Sequence, residues 1–390
     1  MQNTHKLVRI TTVPISLQKL IAGQMRFMSQ HGFEVTMISS SSDYIKELEH
    51  AEKSAFEAVE MTRTITPFKD IVALYKLIKL LKQIKPTIVH THTPKAGLIG
   101  MLAARILNIP LRLHTVAGLP LLESQGLRRR ILELVEKVTY YCAHRIYPNS
   151  HGLKQIILDT KLANSSKLKV IGNGSSNGID VSLYVRSKDV EDEARNLRSL
   201  YQIPSELFTF IFVGRLVKDK GIEELTQAFE ILVAQNPSVR LVLVGPEEPE
   251  LDPLSKDCLQ AIRNNDAIIH VGYQNDVKPF LCMSSVLVFP SYREGFPNVP
   301  MQAGCFDLPS IVSDINGCNE IVQHGENGLI VPAKDSKALL KAMEQVYNDK
   351  ELYGKMSKNA RPMIVGRYDQ RRVWDLILDE YRQLIKQNDL

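Results

Sequence analysis

The chain has 390 residues, of which 44% are hydrophobic and 23% charged, and a formal net charge of +5. This is the profile of a globular protein long enough for two ordinary domains, with a charge too mild to argue for nucleic acid. Its five cysteines (Cys142, Cys258, Cys282, Cys305, Cys318) are scattered and form no C-x-x-C pair, which speaks against a disulfide framework or structural zinc and for a reducing cytosol.

No apolar run approaches the roughly 20 residues of a membrane-spanning helix, and the first residues carry no secretory signal. In chain order, the first half predicts strands at Leu7–Ile10, Val35–Ser39, Ile88–His90, Leu111–Thr115 and Arg145–Pro148. Helices are predicted near 18–31, 68–85, 96–107, 127–143 and 150–161. The rhythm breaks between Gly172 and Glu206, a turn-rich stretch followed by a charged one. It resumes with strands at Phe208–Val213, Arg240–Val244, Ile268–Val271, Val286–Phe289, Ile311–Ser313 and Leu329–Val331. Helices near 221–236, 254–264, 275–283, 298–306 and 335–347 lie between them, and a last one covers 369–387. Such alternation gives an α/β chain of two doubly wound, Rossmann-like domains with parallel sheets, at 1–180 and 207–368, joined through 181–206. Ligands of such sheets gather at the carboxyl ends of the strands, so the site is expected in the cleft between the two domains.

Several stretches could carry chemistry. The predicted helix at 67–85 has a lysine face, and Arg128–Arg130 lie on another helix; both would suit an anionic membrane surface, though most such helices pack one face and solvate the other. His90 and His92 share one face of a strand end; with no third ligand nearby, a hydrogen-bonded strand terminus is favoured over a metal pair. His114 ends an apolar strand shortly before Gly118, where it would face the cleft. The Gly172–Gly178 cluster is spaced G-x-G-x-x-x-G, the wrong spacing for a dinucleotide fingerprint.

In the second half, Gly214 ends a strand, and Arg215 and Lys220 follow before the next helix. A guanidinium fork and an ammonium at a sheet edge suit a diphosphate. The run Ser291–Ser313 is a strand exit, a loop with Glu294, a helix start and another strand. The helix start offers unpaired N–H groups to an anion, and Glu294 can accept from sugar hydroxyls; together they point to a nucleotide-sugar.

These pieces resemble the retaining glycosyltransferases of family four, which have the GT-B fold, and the resemblance covers nearly the whole chain. It is carried by Gly214–Gly221, Val244-Gly245, Val271–Tyr273, Pro290–Asn298, Val312–Asp314 and Glu320–Leu329, and in the first half by His90–Thr93, His114–Gly118 and Asn177–Asp180. The resemblance implies that Arg215 and Lys220 hold the donor diphosphate. Glu294, with the backbone of Gly295, Phe296, Pro297, Asn298 and Val299, would meet donor sugar and phosphate. Val271, Gly272 and Tyr273 would flank the base, and His114 would sit by the transferred sugar. The helix at 369–390 would cross back to the first domain, which gives Trp374 a structural reason.

Two departures stand out. The second carboxylate, eight residues after the first, is replaced by Gln302, which accepts less strongly from a ribose diol. The glycine-rich loop after the first strand is replaced by Val13–Gln18, leaving Ser16, with His92 and Gly118, for the acceptor side. The expected activity is retaining transfer of a hexosyl or N-acetylhexosaminyl group. It runs from a nucleoside diphosphate donor, UDP in the first instance, to a glycan hydroxyl on a polyprenyl-diphosphate carrier, in bacterial capsule or lipopolysaccharide synthesis. The expected place is the cytoplasm, peripheral on the inner face of the membrane. No cofactor is required beyond the nucleotide-sugar as co-substrate, and with no paired-aspartate loop evident no metal is called for. A nucleotide-sugar epimerase of the same architecture and a non-catalytic donor-binding protein are the alternatives.

Overall fold

The computed structural model describes residues 4–390 apart from 63, 65, 249 and 251. The chain forms two units, Met1–Gly178 together with Gln370–Leu390, and Ile179–Asp369.

The first unit is built on β1 (His5–Ile10), β2 (Phe33–Ser39), β3 (Ala55–Ala58), β4 (Ile88–His92), β5 (Leu111–Val116) and β6 (Arg145–Pro148). They lie in the order β3-β2-β1-β4-β5-β6, every neighbouring pair parallel. The period of two along each strand divides its residues between two cores. Val8, Ile10 and Val89 face the helices Pro67–Ile84, Pro94–Ile106 and Gly126–Cys142. Leu7, Ile88, Leu111 and Leu113 face Pro14–Leu20, Gln24–Gln30 and the last helix, Gln370–Gln387.

The expected single helix at 18–31 is two helices. They break at Ile21–Gly23, where the Gly23 N–H bonds Glu52 Oε1 at 2.6 Å instead of continuing a helix ladder. On the last helix, the Trp374 ring packs on Phe27 with centroids 5.3 Å apart and donates from Nε1 to Asn177 Oδ1 at 2.7 Å.

The second unit repeats the topology with β7 (Phe208–Val213), β8 (Val239–Val244), β9 (Ile268–Gly272), β10 (Val286–Phe289), β11 (Ser310–Ser313) and β12 (Gly328–Val331). The order is β12-β11-β10-β7-β8-β9, again parallel throughout. Its strands are near-continuous apolar runs because helices cover both faces of the sheet. Three helices of this unit went unassigned in the sequence, the four-residue Cys318–Ile321 and two longer ones. Lys188–Leu200 starts at Ser187, whose side chain accepts from Val190 N, and packs in this unit rather than serving as free linker. Lys350–Tyr368 carries Pro362 inside it and packs on the helix Asn298–Cys305.

Candidate functional site

In the second unit, β7 has β10 on one side and β8 on the other, so the strand order reverses beside it. That reversal opens a crevice at the carboxyl edge, where doubly wound sheets take their ligands. Lys220 enters from the β7 exit and Glu294 from the β10 exit, and Lys220 Nζ lies 2.5 Å from Glu294 Oε1. The two loops can meet because residue 221 is glycine: its φ is 70°, and a Cβ there would stand 2.1 Å from the Pro290 carbonyl oxygen. Buried Ser291 donates to the same Glu294 oxygen at 2.9 Å. Behind Glu294, Asn316 Nδ2 donates to the Gly295 carbonyl at 2.8 Å.

The other residues singled out on this unit surround that pair differently. Arg215 also leaves β7, but its Nη1 donates to Glu248 Oε2 at 2.8 Å. Phe296 and Pro297 lead into the helix Asn298–Cys305, whose first turn, including Val299, has no intrahelical partners for its N–H groups. Val271 and Gly272 end β9, and Tyr273 beyond them is exposed. Gln302 is half-buried, and its Nε2 donates to Tyr184 OH at 2.7 Å. Gly214 donates its N–H to the Val244 carbonyl, which ties the β7 and β8 exits together.

Sequence reasoning missed the supports. Tyr292 OH bonds Glu224 at 2.7 Å and has Lys334 Nζ 4.7 Å above its ring. Arg293 donates to Asp219 at 2.7 Å. The pairs join residues far apart in the chain, so no local pattern announces them.

In the first unit His114 is 2% exposed, with Nδ1 2.8 Å from Thr91 Oγ1. Gly97 makes room for the ring, since a Cβ there would lie 2.5 Å from His114 Cε1. Burial lowers the His114 imidazole to about 4, against a smaller opposing effect of its bond with Thr91, so the ring is neutral at physiological pH. His114 and Gly118 line one cavity of 280 Å³. Ser16 sits half-buried in the first turn of Pro14–Leu20.

His92 lies elsewhere. It is buried with His90 on the opposite face of the sheet, the rings stacked at 4.4 Å. Arg9, wholly buried, donates from Nη1 to His90 Nδ1 at 3.0 Å and to His92 Nε2 at 2.9 Å. A guanidinium only donates, so both of those nitrogens accept, and His90 carries its proton on Nε2, 2.7 Å from Thr115 Oγ1. Tyr381 of the last helix bonds His90 Nδ1 at 2.5 Å. Among the described residues no group of three or more His, Cys, Asp or Glu is placed to hold a metal ion.

Residues 194–363 match the family described as "Glycosyl transferases group 1", and residues 16–150 match "Glycosyl transferase 4-like". The chain is 33% identical over 385 residues, 99% of each chain, to the capsular polysaccharide biosynthesis glycosyltransferase CapM of Staphylococcus aureus. It is 28% identical, over 99% of each chain, to the Escherichia coli UDP-Gal:alpha-D-GlcNAc-diphosphoundecaprenol alpha-1,3-galactosyltransferase. The Anabaena protein Alr3699/HepE, solved in complex with UDP, superposes with a TM-score of 0.78 at 17% identity, over 97% of this chain and 100% of that one. The two six-stranded parallel sheets with their flanking helices are the GT-B fold. By this likeness over its whole length, the chain belongs to the group 1, GT4-like glycosyltransferases.

Proposed function

We propose that the protein transfers a sugar from a UDP-linked donor, with retention at the anomeric carbon, to a hydroxyl of a polyprenyl-diphosphate-linked glycan during bacterial surface-polysaccharide synthesis. The observation that carries this reading is the Lys220–Glu294 pair at the point where the second sheet reverses its strand order. An ammonium and a carboxylate in contact, beside a helix start, form a site with separate places for diphosphate and sugar hydroxyls. The UDP bound by Alr3699/HepE supports the base, and the diphosphoundecaprenol acceptor of the Escherichia coli relative supports the carrier.

In the reaction the bond from the anomeric carbon to the diphosphate oxygen breaks, and a bond to the acceptor oxygen forms on the same face. The acceptor proton passes to the departing diphosphate, so no side-chain base is needed. Lys220, Arg215 and the first turn of Asn298–Cys305 take up the charge that develops on the leaving group, and Glu294 orients the donor sugar. Neutral His114 offers a ring nitrogen to a sugar hydroxyl without adding charge.

A thermal-shift series with UDP, UDP-sugars and the corresponding GDP compounds tests the donor site, because a ligand of the native state raises the melting temperature. The expected result is a selective shift with a UDP-sugar that Arg215→Ala abolishes. Turnover should fall by roughly a hundredfold or more in Lys220→Ala and Glu294→Ala, the scale of losing one charge-stabilising contact. Equal shifts with every nucleotide, or wild-type turnover in those variants, would overturn the reading.

A further inference from the structure

The cavity beside His114 contains a group outside all the motifs. Glu136, in the middle of the helix Gly126–Cys142, lines it and is 4% exposed. No lysine or arginine is among the lining residues, and much of the wall is apolar, from Pro94, Val116, Leu119 and Pro120. Burial, only partly offset by Tyr140, raises the Glu136 carboxyl to about 7, so it is available both as an acceptor and, when protonated, as a donor. Thr93, also at the wall, holds φ 78° and ψ 144°, a backbone that a β-branched residue adopts only under constraint.

A small, largely apolar chamber with a buried carboxyl and the His114 ring at its wall suits a ligand group that pairs a methyl with a hydrogen-bonding amide. We propose that this cavity receives the acetamido group of an N-acetylated acceptor sugar, with Glu136 bonding its N–H and the apolar wall covering its methyl. This deepens the reading of a lipid-linked glycan acceptor and rests on it. A plain hydroxyl at the same position would leave the apolar wall unfilled. The helix supplies a second argument. Arg128 and Arg130 stand in its first turns, with Arg129 between them paired to Glu133 at 2.9 Å. At 1.5 Å per residue they precede Glu136 by roughly 10 Å. Cations for a diphosphate and a carboxyl for the sugar next to it thus follow one another along a single element.

Calorimetric binding of short-chain prenyl-diphospho-N-acetylglucosamine and of prenyl-diphospho-glucose, without donor, tests this on the full chain. The wild type should prefer the acetamido ligand by about tenfold, the worth of one good hydrogen bond. Glu136→Leu should lose the preference, whereas Glu136→Gln, which can still accept and donate, should keep it. Melting temperatures near wild type for both variants show that the fold is intact. Equal binding of the two ligands by the wild type, or an undiminished preference in Glu136→Leu, overturns the proposal. So does a loss in Glu136→Gln as deep as in Glu136→Leu. Binding of neither ligand overturns it together with the lipid-linked acceptor, while the UDP shift, read on the same preparation, stands or falls separately.

Discussion

Gln302 stands eight residues after Glu294, where the resemblance places a ribose-gripping carboxylate, and its amide nitrogen is committed to Tyr184 OH at 2.7 Å. The tyrosine hydroxyl can donate as well as accept, so Gln302→Glu would keep that bond with its direction reversed. We expect this variant to bind the UDP-sugar several-fold more tightly, because a carboxylate is the stronger acceptor for a diol, a gain of about 1 kcal/mol. Titration calorimetry reads it, and unchanged or weaker binding would place residue 302 away from the ribose. At this scale Lys220 and Glu294 were legible as candidates because each stands at a strand exit, where the structure brings them into contact; Arg215 leaves the same exit as Lys220 but pairs with Glu248. Glu136 was not legible, because a carboxylate in an amphipathic helix reads as solvated unless the opposing wall is known. Arg9 was hidden likewise: its partners His90 and His92 on β4 and Gln24 on the helix Gln24–Gln30 come from two segments distant from each other in the chain.

Among the elements, the helix Pro67–Ile84 buries Ala73, Leu77 and Leu81 but leaves a second apolar stripe uncovered in its first half. Phe68 is 87% exposed and Tyr75 70%, with Ile71 and Val72 between them at i, i+3, i+4, i+7 spacing and Lys69 and Lys76 alongside. The helix Gly126–Cys142, which shares Pro94–Ile106 as a neighbour, likewise exposes Leu127 and Leu134 near Arg128–Arg130. Among the described residues no helix is long and apolar enough to cross a membrane; we propose that these exposed apolar faces, flanked by cations, lie on an anionic membrane surface. Flotation with phosphatidylglycerol vesicles should recover the protein, and phosphatidylcholine alone should recover little. Phe68→Ser with Tyr75→Ser should cut the bound fraction about tenfold, the equivalent of roughly 1.4 kcal/mol of lost apolar insertion. Recovery independent of lipid charge and of both residues would discard this surface. The same helix was legible because its period is strong. The edge strand β3, four residues with Glu57 inside, and Lys350–Tyr368, with Gly354 and Pro362, lack such a period and were missed.

For the molecule as a whole, buried imidazoles set the response to acid. Burial holds His90 and His92 well below 6.5 and His114 at about 4. Above pH 6.5 both folded and unfolded chains leave these rings neutral. As the pH falls from 6.5 toward 4, the unfolded chain takes protons that the folded one refuses, so stability declines. Glu136 acts in the opposite sense: raised to about 7, it favours folding below its unfolded value of 4.5 and loses that contribution as the pH rises through 7. Four lowered rings, with His144 also at about 4, against the raised carboxyls of Glu136 and Glu52 leave a net loss in acid. Chemical denaturation should show His114→Gln to be less acid-sensitive than the wild type between pH 6.5 and 4, by on the order of 3 kcal/mol at 1.36 kcal/mol per unit. Glu136→Gln should change the slope with the reverse sign, and identical pH profiles for all three proteins would show that neither group is buried as described. The repeated alternation made both sheets readable, since a parallel doubly wound sheet writes its topology into the order of apolar runs. The ring network was not readable, since it exists only once both sheet faces are closed.

The helix Gln370–Gln387 belongs with the first unit, yet it is translated after the whole of the second. During vectorial synthesis, Leu7, Ile88, Leu111 and the Arg9–His90 pair therefore lack Tyr381, Val373 and Trp374 until the last helix has left the ribosome. The nascent N-terminal unit carries one sheet face covered only by Pro14–Leu20 and Gln24–Gln30 throughout the making of the C-terminal one, and apolar surface left open in this way is what makes folding intermediates prone to aggregate.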